Sequence, residues 1–242
     1  MQALRRWAMR LLIAGAIAIA MLVGWSILRG RPQDLPWTPL DLGEPVGLFT
    51  GRKIVSLGED FPRCRALLER AGVRFTVLPP LRDGQCGYAD GVRPATGGAL
   101  RIGFEPAGLG VACPVAAGLA MWEWNVIQPA AQRLLGTQVT AIRHFGSYSC
   151  RRLYGRDAGA FSEHATADAV DIAGFVLADG RTISVVRDWQ GNGDAATFLR
   201  TVRNGACGVF ATVLSPDYNA AHRDHLHLDQ AARGAWGGRA CR

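Results

Sequence analysis

Residues 162–177 read SEHATADAVDIAGFVL, a polar turn that leads into an apolar segment. The segment from 169 to 177 predicts a β-strand, because it is short, aliphatic and bounded by turn residues. Asp171 stands between two aliphatic residues of this strand, where a carboxylate costs several kcal/mol unless it is paired or binds a metal. His164 precedes Asp171 by seven residues, at the end of the turn. These two side chains are therefore the first candidates for a functional site.

The second informative stretch is residues 224–229, DHLHLD. In an extended strand, residues two apart share a face, so His225, His227 and Asp229 project together while two leucines anchor the other face. Two imidazoles beside a carboxylate suit zinc, which binds neutral imidazole and whose histidine ligands are often oriented by an acid. Taken alone, the stretch fits a polar strand edge as well.

Together the two stretches predict a metal site with three protein ligands, His164, Asp171 and His227. Three ligands leave a fourth position for water, which is typical of catalytic rather than structural zinc. We therefore expect one Zn²⁺ per chain, although the same donor atoms accept other divalent ions as well.

The surrounding sequence predicts an α+β domain over residues 60–242, with a small antiparallel sheet, flanking helices and long loops. Helices are expected over 62–71, 113–135 and 195–203, with Pro129 kinking the second. Strands are expected over 73–78, 138–143, 169–177, 182–186, 209–214 and 225–229, and loops over 79–98 and 144–165.

The N-terminus carries an uncharged, mostly apolar run of 18 residues, 11–28, preceded by three arginines. As a helix it would be roughly 27 Å long, close to the hydrocarbon thickness of a bilayer. No small-x-small cleavage site follows it, which favours a retained anchor over residues 1–33 above a cleaved signal or a buried core helix. We expect a single-pass protein of the inner (cytoplasmic) membrane with its domain on the periplasmic side. A linker over 34–59 should join the two and pack on the domain through Leu35, Trp37 and Leu40.

Cysteine usage indicates the same compartment. The chain has six cysteines, all after the apolar run, and none forms a CxxC pair. In an exported domain this predicts three disulfides, whose pairing the sequence leaves open. The alternative is six reduced thiols in a cytosolic core.

The formal net charge of +7 suggests nucleic acid at first. Five arginines flank the apolar run, and without them the net charge falls to about +2. No basic stripe interleaved with aromatic residues follows, so we expect no nucleic-acid partner. A GxSxG nucleophile motif is also absent from the sequence, which argues against a serine hydrolase.

The motifs SEHATADAVDI and HLH resemble the metal-binding pattern of zinc peptidases that cleave peptidoglycan peptides. That group includes the D-alanyl-D-alanine carboxypeptidases of the vancomycin-resistance type and the murein endopeptidases. Its signature is SxHxxGxAxD, followed by HxH or by an acid three residues before the last histidine. Within this group, the chain most resembles the bacterial extensin-like C-terminal domain. The segment GSYSCR at 146–151 also fits that domain, and the resemblance covers most of residues 60–242.

The resemblance implies that His164, Asp171 and His227 are the ligands. For the catalytic partner it leaves two positions open, Asp224, as in the carboxypeptidases, and His225, as in the endopeptidases. A carboxylate there would take a proton from water, whereas a histidine would stabilise the developing oxyanion.

The same resemblance implies that Arg151 binds the substrate carboxylate, with a surface arginine as the alternative, and that Ser162 hydrogen-bonds near the site. His144 and His222 are expected to be satisfied or solvated. Two positions depart from the family pattern, since Ala167 replaces its glycine and Asp168 replaces a small or apolar residue. Neither change removes a ligand.

These observations predict a zinc-dependent hydrolase of peptidoglycan peptide bonds, with peptidoglycan or muropeptides as partners and the membrane contacted through the N-terminal helix. The first alternative is a non-catalytic, metal-containing module that binds the cell wall. The second is an exported hydrolase of other amides.

Overall fold

The computed structural model describes residues 2–234 and 238–242 and confirms the α+β class. The helices are α1 (Gln2–Arg29), α2 (Thr50–Val55), α3 (Phe61–Arg70), α4 (Cys113–Trp122), α5 (Gln128–Leu135), α6 (Val185–Asp188) and α7 (Asp194–Ala206). The strands are β1 (Arg74–Val77), β2 (Leu81–Asp83), β3 (Cys86–Tyr88), β4 (Gly91–Ala95), β5 (Gly103–Glu105), β6 (Val111–Ala112), β7 (Val139–Gly146), β8 (Ala169–Leu177), β9 (Thr182–Ser184), β10 (Thr212–Leu214), β11 (Leu226–Asp229) and β12 (Ala240–Cys241).

The main sheet is built around β8. Its strands follow the order β12-β10-β11-β8-β7-β5, and β9 also pairs with β8. Most pairs are antiparallel, as expected, but the outer pairs β5–β7 and β10–β12 are parallel. Seven of the nine residues of β8 are buried, because helices cover a strand that is apolar on both faces. The strand boundaries predicted here, 169–177, are those observed.

The segment predicted as a loop over 79–98 is instead mostly strand. β2 and β3 form a hairpin, and β4 pairs with β1 and β6 in a separate three-stranded sheet. The prediction failed because glycine and proline hide the strand signal here, while pairing with distant residues supplies the stability. Three strand ends differ from the prediction by a few residues. Strand β9 ends at Ser184, directly before α6, while β10 begins only at Thr212 and β7 extends to Gly146.

A buried helix backs the sheet, as the apolar run from Cys113 predicts. All ten residues of α4 are buried, and the Trp122 indole donates a hydrogen bond to the Val202 carbonyl of α7 at 2.8 Å. The kink expected at Pro129 in the helix over 113–135 is instead a π-helical segment, Glu123–Ile127, between α4 and α5. It lies just ahead of Pro129, which has no amide hydrogen to continue the α-helical ladder.

The segment 34–59, expected as a linker, contributes to the core. Leu40, Leu42, Ile54 and Leu57 are all buried against the rest of the domain. The folded unit therefore begins upstream of residue 60, because burying these aliphatic side chains requires the segment to pack on the domain. Trp37, expected to pack there, is 77% exposed.

All six cysteines are paired, in the bridges Cys64–Cys113, Cys86–Cys150 and Cys207–Cys241. Three disulfides indicate an extracytoplasmic domain. Helix α1 contains one stretch, Leu4–Ser26, that is long and apolar enough to cross a membrane. Its length and composition fit a single-pass anchor and a signal sequence alike.

The turn before β8 contains a backbone feature that explains one departure from the family pattern. Ala167 adopts φ +58°, in the left-handed region that favours glycine. Its carbonyl oxygen accepts hydrogen bonds from the Ala112 amide and the Ser147 hydroxyl, which hold this conformation in place. The backbone at this position therefore favours glycine, and alanine adopts the same conformation at a cost.

We predict that Ala167→Gly unfolds with a higher free energy than Ala165→Gly, by roughly 1–2 kcal/mol. Ala165 is an equally buried alanine two residues earlier with a right-handed backbone, so both variants lose one buried methyl group. The difference isolates the left-handed strain. Urea unfolding of the full chain in mild detergent, with disulfides intact, measures it, and equal values would show that the strain is negligible.

Candidate metal centre

The pairing of β8 with β11 places two of the expected ligands side by side. Asp171 lies directly opposite His227 in the antiparallel register. Their side chains point to the same face of the sheet, and His227 Nδ1 lies 2.9 Å from Asp171 Oδ1. Residues 56 positions apart in sequence therefore meet through the main-chain ladder.

The third expected ligand comes from the turn that precedes β8. His164 lies in the short 3₁₀ helix Glu163–Thr166, whose first turn is capped by the Ser162 hydroxyl accepting from the His164 amide at 3.4 Å. Ser162 thus positions a candidate ligand, and a contact from it to substrate stays a prediction. His164 is 3% exposed.

Each imidazole is oriented by a hydrogen bond from the ring nitrogen that points away from the other ligands. His164 Nδ1 donates to the Ser147 carbonyl oxygen at 2.6 Å, and His227 Nε2 donates to Asp229 Oδ2 at 3.0 Å. A carbonyl oxygen and an ionised carboxylate only accept, so both protons lie on the outer nitrogens. This is the arrangement that commonly orients histidine ligands of metals.

The ring nitrogens on the other side, His164 Nε2 and His227 Nδ1, and the carboxylate oxygens of Asp171 then face one another as acceptors. His164 Nε2 lies 3.2 Å from His227 Nδ1 and 3.2 Å from Asp171 Oδ2. Two imidazole lone pairs and a carboxylate oxygen at such distances repel unless a cation lies among them. The donor set of two nitrogens and one oxygen suits zinc, and the residues present therefore fit the metal that the sequence implies.

Without a metal, protons must take that place. Burial lowers the pKa of His227, but the carboxylates of Asp171 and Asp229 outweigh burial and raise it to about 9. Burial raises the pKa of Asp171, but the two neighbouring imidazoles, His164 and His227, outweigh burial and hold it far below the usual range. A protonated His227 beside an ionised Asp171 is thus a buried ion pair, and a metal bound there would displace that proton.

These residues line a cavity of about 420 Å³, here called the metal-site cavity. Arg151, Ser162, Tyr154 and Tyr218 line it as well. Arg151 is solvent-exposed, which leaves its guanidinium free to meet a ligand.

The two positions left open for the catalytic partner form one hydrogen-bonded pair. His225 Nδ1 lies 2.9 Å from Asp224 Oδ1, and His225 Nε2 lies 3.5 Å from Asp171 Oδ1. His225 therefore faces the ligands, while Asp224 holds its far nitrogen. Within the described ranges, Asp224 does not line the metal-site cavity but an adjoining one.

His222, expected to be satisfied or solvated, is a buried part of the metal-site cavity. Its ring lies 5.2 Å from that of His225 and 5.9 Å from that of His227, and its Nδ1 bonds Asn219 Oδ1 at 2.7 Å. Burial, and then the two neighbouring imidazoles, lowers its pKa to about 4. The sequence feature that could have predicted this is the spacing of three residues between His222 and His225. The 3₁₀ helix Ala220–His222 brings His222 back to the site.

Two other residues lie apart from the centre. His144 bonds the Pro106 carbonyl oxygen at 2.8 Å and lines other cavities. Asp168, which departs from the family pattern, lines a cavity different from the metal-site cavity. Burial, and then the neighbouring carboxylates, raises the pKa of Asp168 well above its usual value.

Fold and site together define a disulfide-bonded α+β domain with a candidate mononuclear metal centre at the junction of two strands. A family model described as extensin-like protein C-terminus matches residues 62–242. The chain belongs to this family. Comparisons with curated proteins and with solved structures give no match.

We predict that the purified full chain in mild detergent binds about one zinc ion, which His164→Ala, Asp171→Ala and His227→Ala each abolish. Every one of these changes removes one of three donors. Elemental analysis after zinc loading measures the content. His144→Ala is the matched control and should keep its zinc, because that imidazole bonds a carbonyl outside the centre. A wild-type chain without metal would contradict the site.

We also predict that zinc binding at about pH 7.5 releases about one proton, because metal binds neutral imidazole. His227, with its pKa raised to about 9, is protonated in the metal-free chain at that pH, whereas Asp171 is already ionised. Between about pH 7.5 and pH 9.5 the release should fall, since His227 becomes neutral before binding, whereas a proton lost by zinc-bound water contributes at both pH values. Calorimetry in buffers of different ionisation enthalpy counts the protons, and no release at either pH would contradict the assignment.

Proposed function

We propose that this chain is an exported zinc-dependent hydrolase that cleaves amide bonds in peptidoglycan peptides. The observation that carries the proposal is the convergence of His164 Nε2, His227 Nδ1 and the Asp171 carboxylate, each imidazole being held from behind by an acceptor. Three ligands leave an open coordination position, which is typical of catalytic zinc.

The choice of substrate rests on sequence likeness and on compartment. The motif at 162–171 and the closing HLH are similar to those of the D-alanyl-D-alanine carboxypeptidases and murein endopeptidases. The three disulfides and the apolar α1 fit a protein held in the inner membrane, with its domain in the periplasm. Peptidoglycan is the abundant amide-rich polymer of that compartment.

A zinc ion held by His164, Asp171 and His227 would supply Lewis-acid chemistry, polarising a carbonyl and making water more acidic. His225 supplies or accepts a proton at Nε2, the nitrogen that faces the ligands. Asp224 fixes the proton of His225 on Nδ1 and orients the ring, and is a positioning residue. The two candidates for catalytic partner thus act as one unit.

The net reaction is hydrolysis of an amide. The carbon–nitrogen bond breaks, the oxygen of water joins the carbonyl carbon, and the amine leaves with a proton. Arg151 lies on the wall of the metal-site cavity, where its guanidinium fork would bind a carboxylate of the peptide.

We predict that His225→Gln lowers kcat for muropeptide hydrolysis by about 10²–10⁴-fold and that Asp224→Asn lowers it by a smaller factor. Both variants should keep their zinc, because neither residue is a ligand. Chromatography of the products of the full chain in mild detergent measures the rates. Asp179→Asn, at an exposed turn, is the control and should match the wild type. Unchanged kcat in His225→Gln would contradict the assigned role.

The same assay tests the alternative of a wall-binding module. A chain that binds zinc and sediments with peptidoglycan, but hydrolyses no muropeptide, would support that module and overturn the enzyme proposal.

A further inference from the structure

The hydrogen-bonded pair Asp224–His225 stands between two cavities. His225 lines the metal-site cavity, whereas Asp224 lines a second cavity of about 310 Å³, here called the distal cavity. The two side chains are joined at 2.9 Å, so the proposed catalytic pair lies between the two cavities.

The distal cavity has a topological origin in the sheet. On one edge of β8, β11 pairs with Ala169–Ile172 and β9 pairs with Gly174–Val176. Ala173 falls between the two partners, and it lines the distal cavity. A gap in the pairing along this edge therefore coincides with the cavity.

The pairing of β7 with the opposite edge of β8 is also irregular close to Ala173. The register with β7 shifts on both sides of His144, which leaves Phe145 without a partner residue. Such bulges are frequent beside active sites, where they redirect side chains. Phe145 is 63% exposed and its ring packs edge-on against His225, with centroids 5.9 Å apart. Phe145 also lines the distal cavity, next to Asp224.

The remaining wall is suited to a polar chain. Glu105 and Arg143 contribute charges of opposite sign, and Ser184 contributes a hydroxyl. The buried Nδ1 of His144, a further wall residue, has no hydrogen-bond partner within the described part of the chain. An extended peptide offers ammonium, carboxylate and amide groups that match such a lining.

We infer that the cleft binds peptide on both sides of the scissile amide, so that the chain cleaves internal bonds of cross-linked peptides rather than a terminal residue. The inference rests on the proposed function and assigns its substrate class. A carboxypeptidase needs room for a single residue beyond the bond, whereas here a second cavity lies beyond the catalytic pair. The metal-site cavity would hold one peptide arm, and the distal cavity would hold the other.

The experiment compares two substrates of the zinc-loaded full chain in mild detergent. One is a cross-linked muropeptide dimer, and the other is a monomeric stem pentapeptide with a free carboxyl end. We expect kcat/KM for the cross-link to exceed that for terminal residue release by at least about tenfold, which corresponds to one good subsite interaction.

A variant of the distal cavity tests the location. Val186 lies on its wall and is 62% exposed, so Val186→Trp should fill the cavity without disturbing the core. We expect it to retain zinc and to lower kcat/KM for the dimer about tenfold, which shifts the ratio between substrates toward the monomer. Val77→Trp, at a 40% exposed position on β1, is the matched control and should leave the ratio unchanged.

Each outcome is decisive. Terminal release as fast as cross-link cleavage, or a Val186→Trp variant with the wild-type ratio and zinc content, would overturn the two-sided cleft while leaving the hydrolase intact. Failure of the zinc-loaded wild type to cleave either substrate would instead overturn the proposed function.

Discussion

The antiparallel ladder between β8 and β11 is the constraint on which the site depends. Asp171 and His227 are partners in that ladder, so the hydrogen bonds that close the sheet also set the distance between carboxylate and imidazole. A one-residue slip of β11 would turn His227 toward the opposite face and bring the leucines of β11 into the cavity. The leucines of β11 prevent this, because both are completely buried when the register is correct.

A second layer of contacts depends on this register. Asp229 lies two residues beyond His227 on the same face and fixes its proton, while the Ser147 carbonyl does the same for His164. These partners make the buried charges tolerable, since a buried carboxylate is stable only where hydrogen bonds or opposite charges offset its lost hydration. The low pKa of Asp171 and the high pKa of His227 express that compensation.

Local patterns were sufficient to predict β8 with its observed ends and the residues that converge at the site. A carboxylate inside an aliphatic strand and alternation in DHLHLD are signals contained in a few neighbouring residues. The hairpin β2–β3, the strand β4 and the burial of Leu42, Ile54 and Leu57 in the core were missed, because distant partners stabilise them. The position of His222 also depends on how a turn folds back, and the carbonyl of Ser147 is a backbone group that no side-chain pattern reveals.

The disulfide Cys86–Cys150 gives this arrangement a further property. Cys150 stands three residues from Ser147, whose carbonyl orients His164, and next to Arg151 on the cavity wall. Opening the bridge would free this segment and lower the affinity of the centre for any cation it holds. Thermodynamic reciprocity then requires that a bound cation protect the bridge against reductants. Formation of this disulfide and binding of a cation at the site would thus reinforce each other.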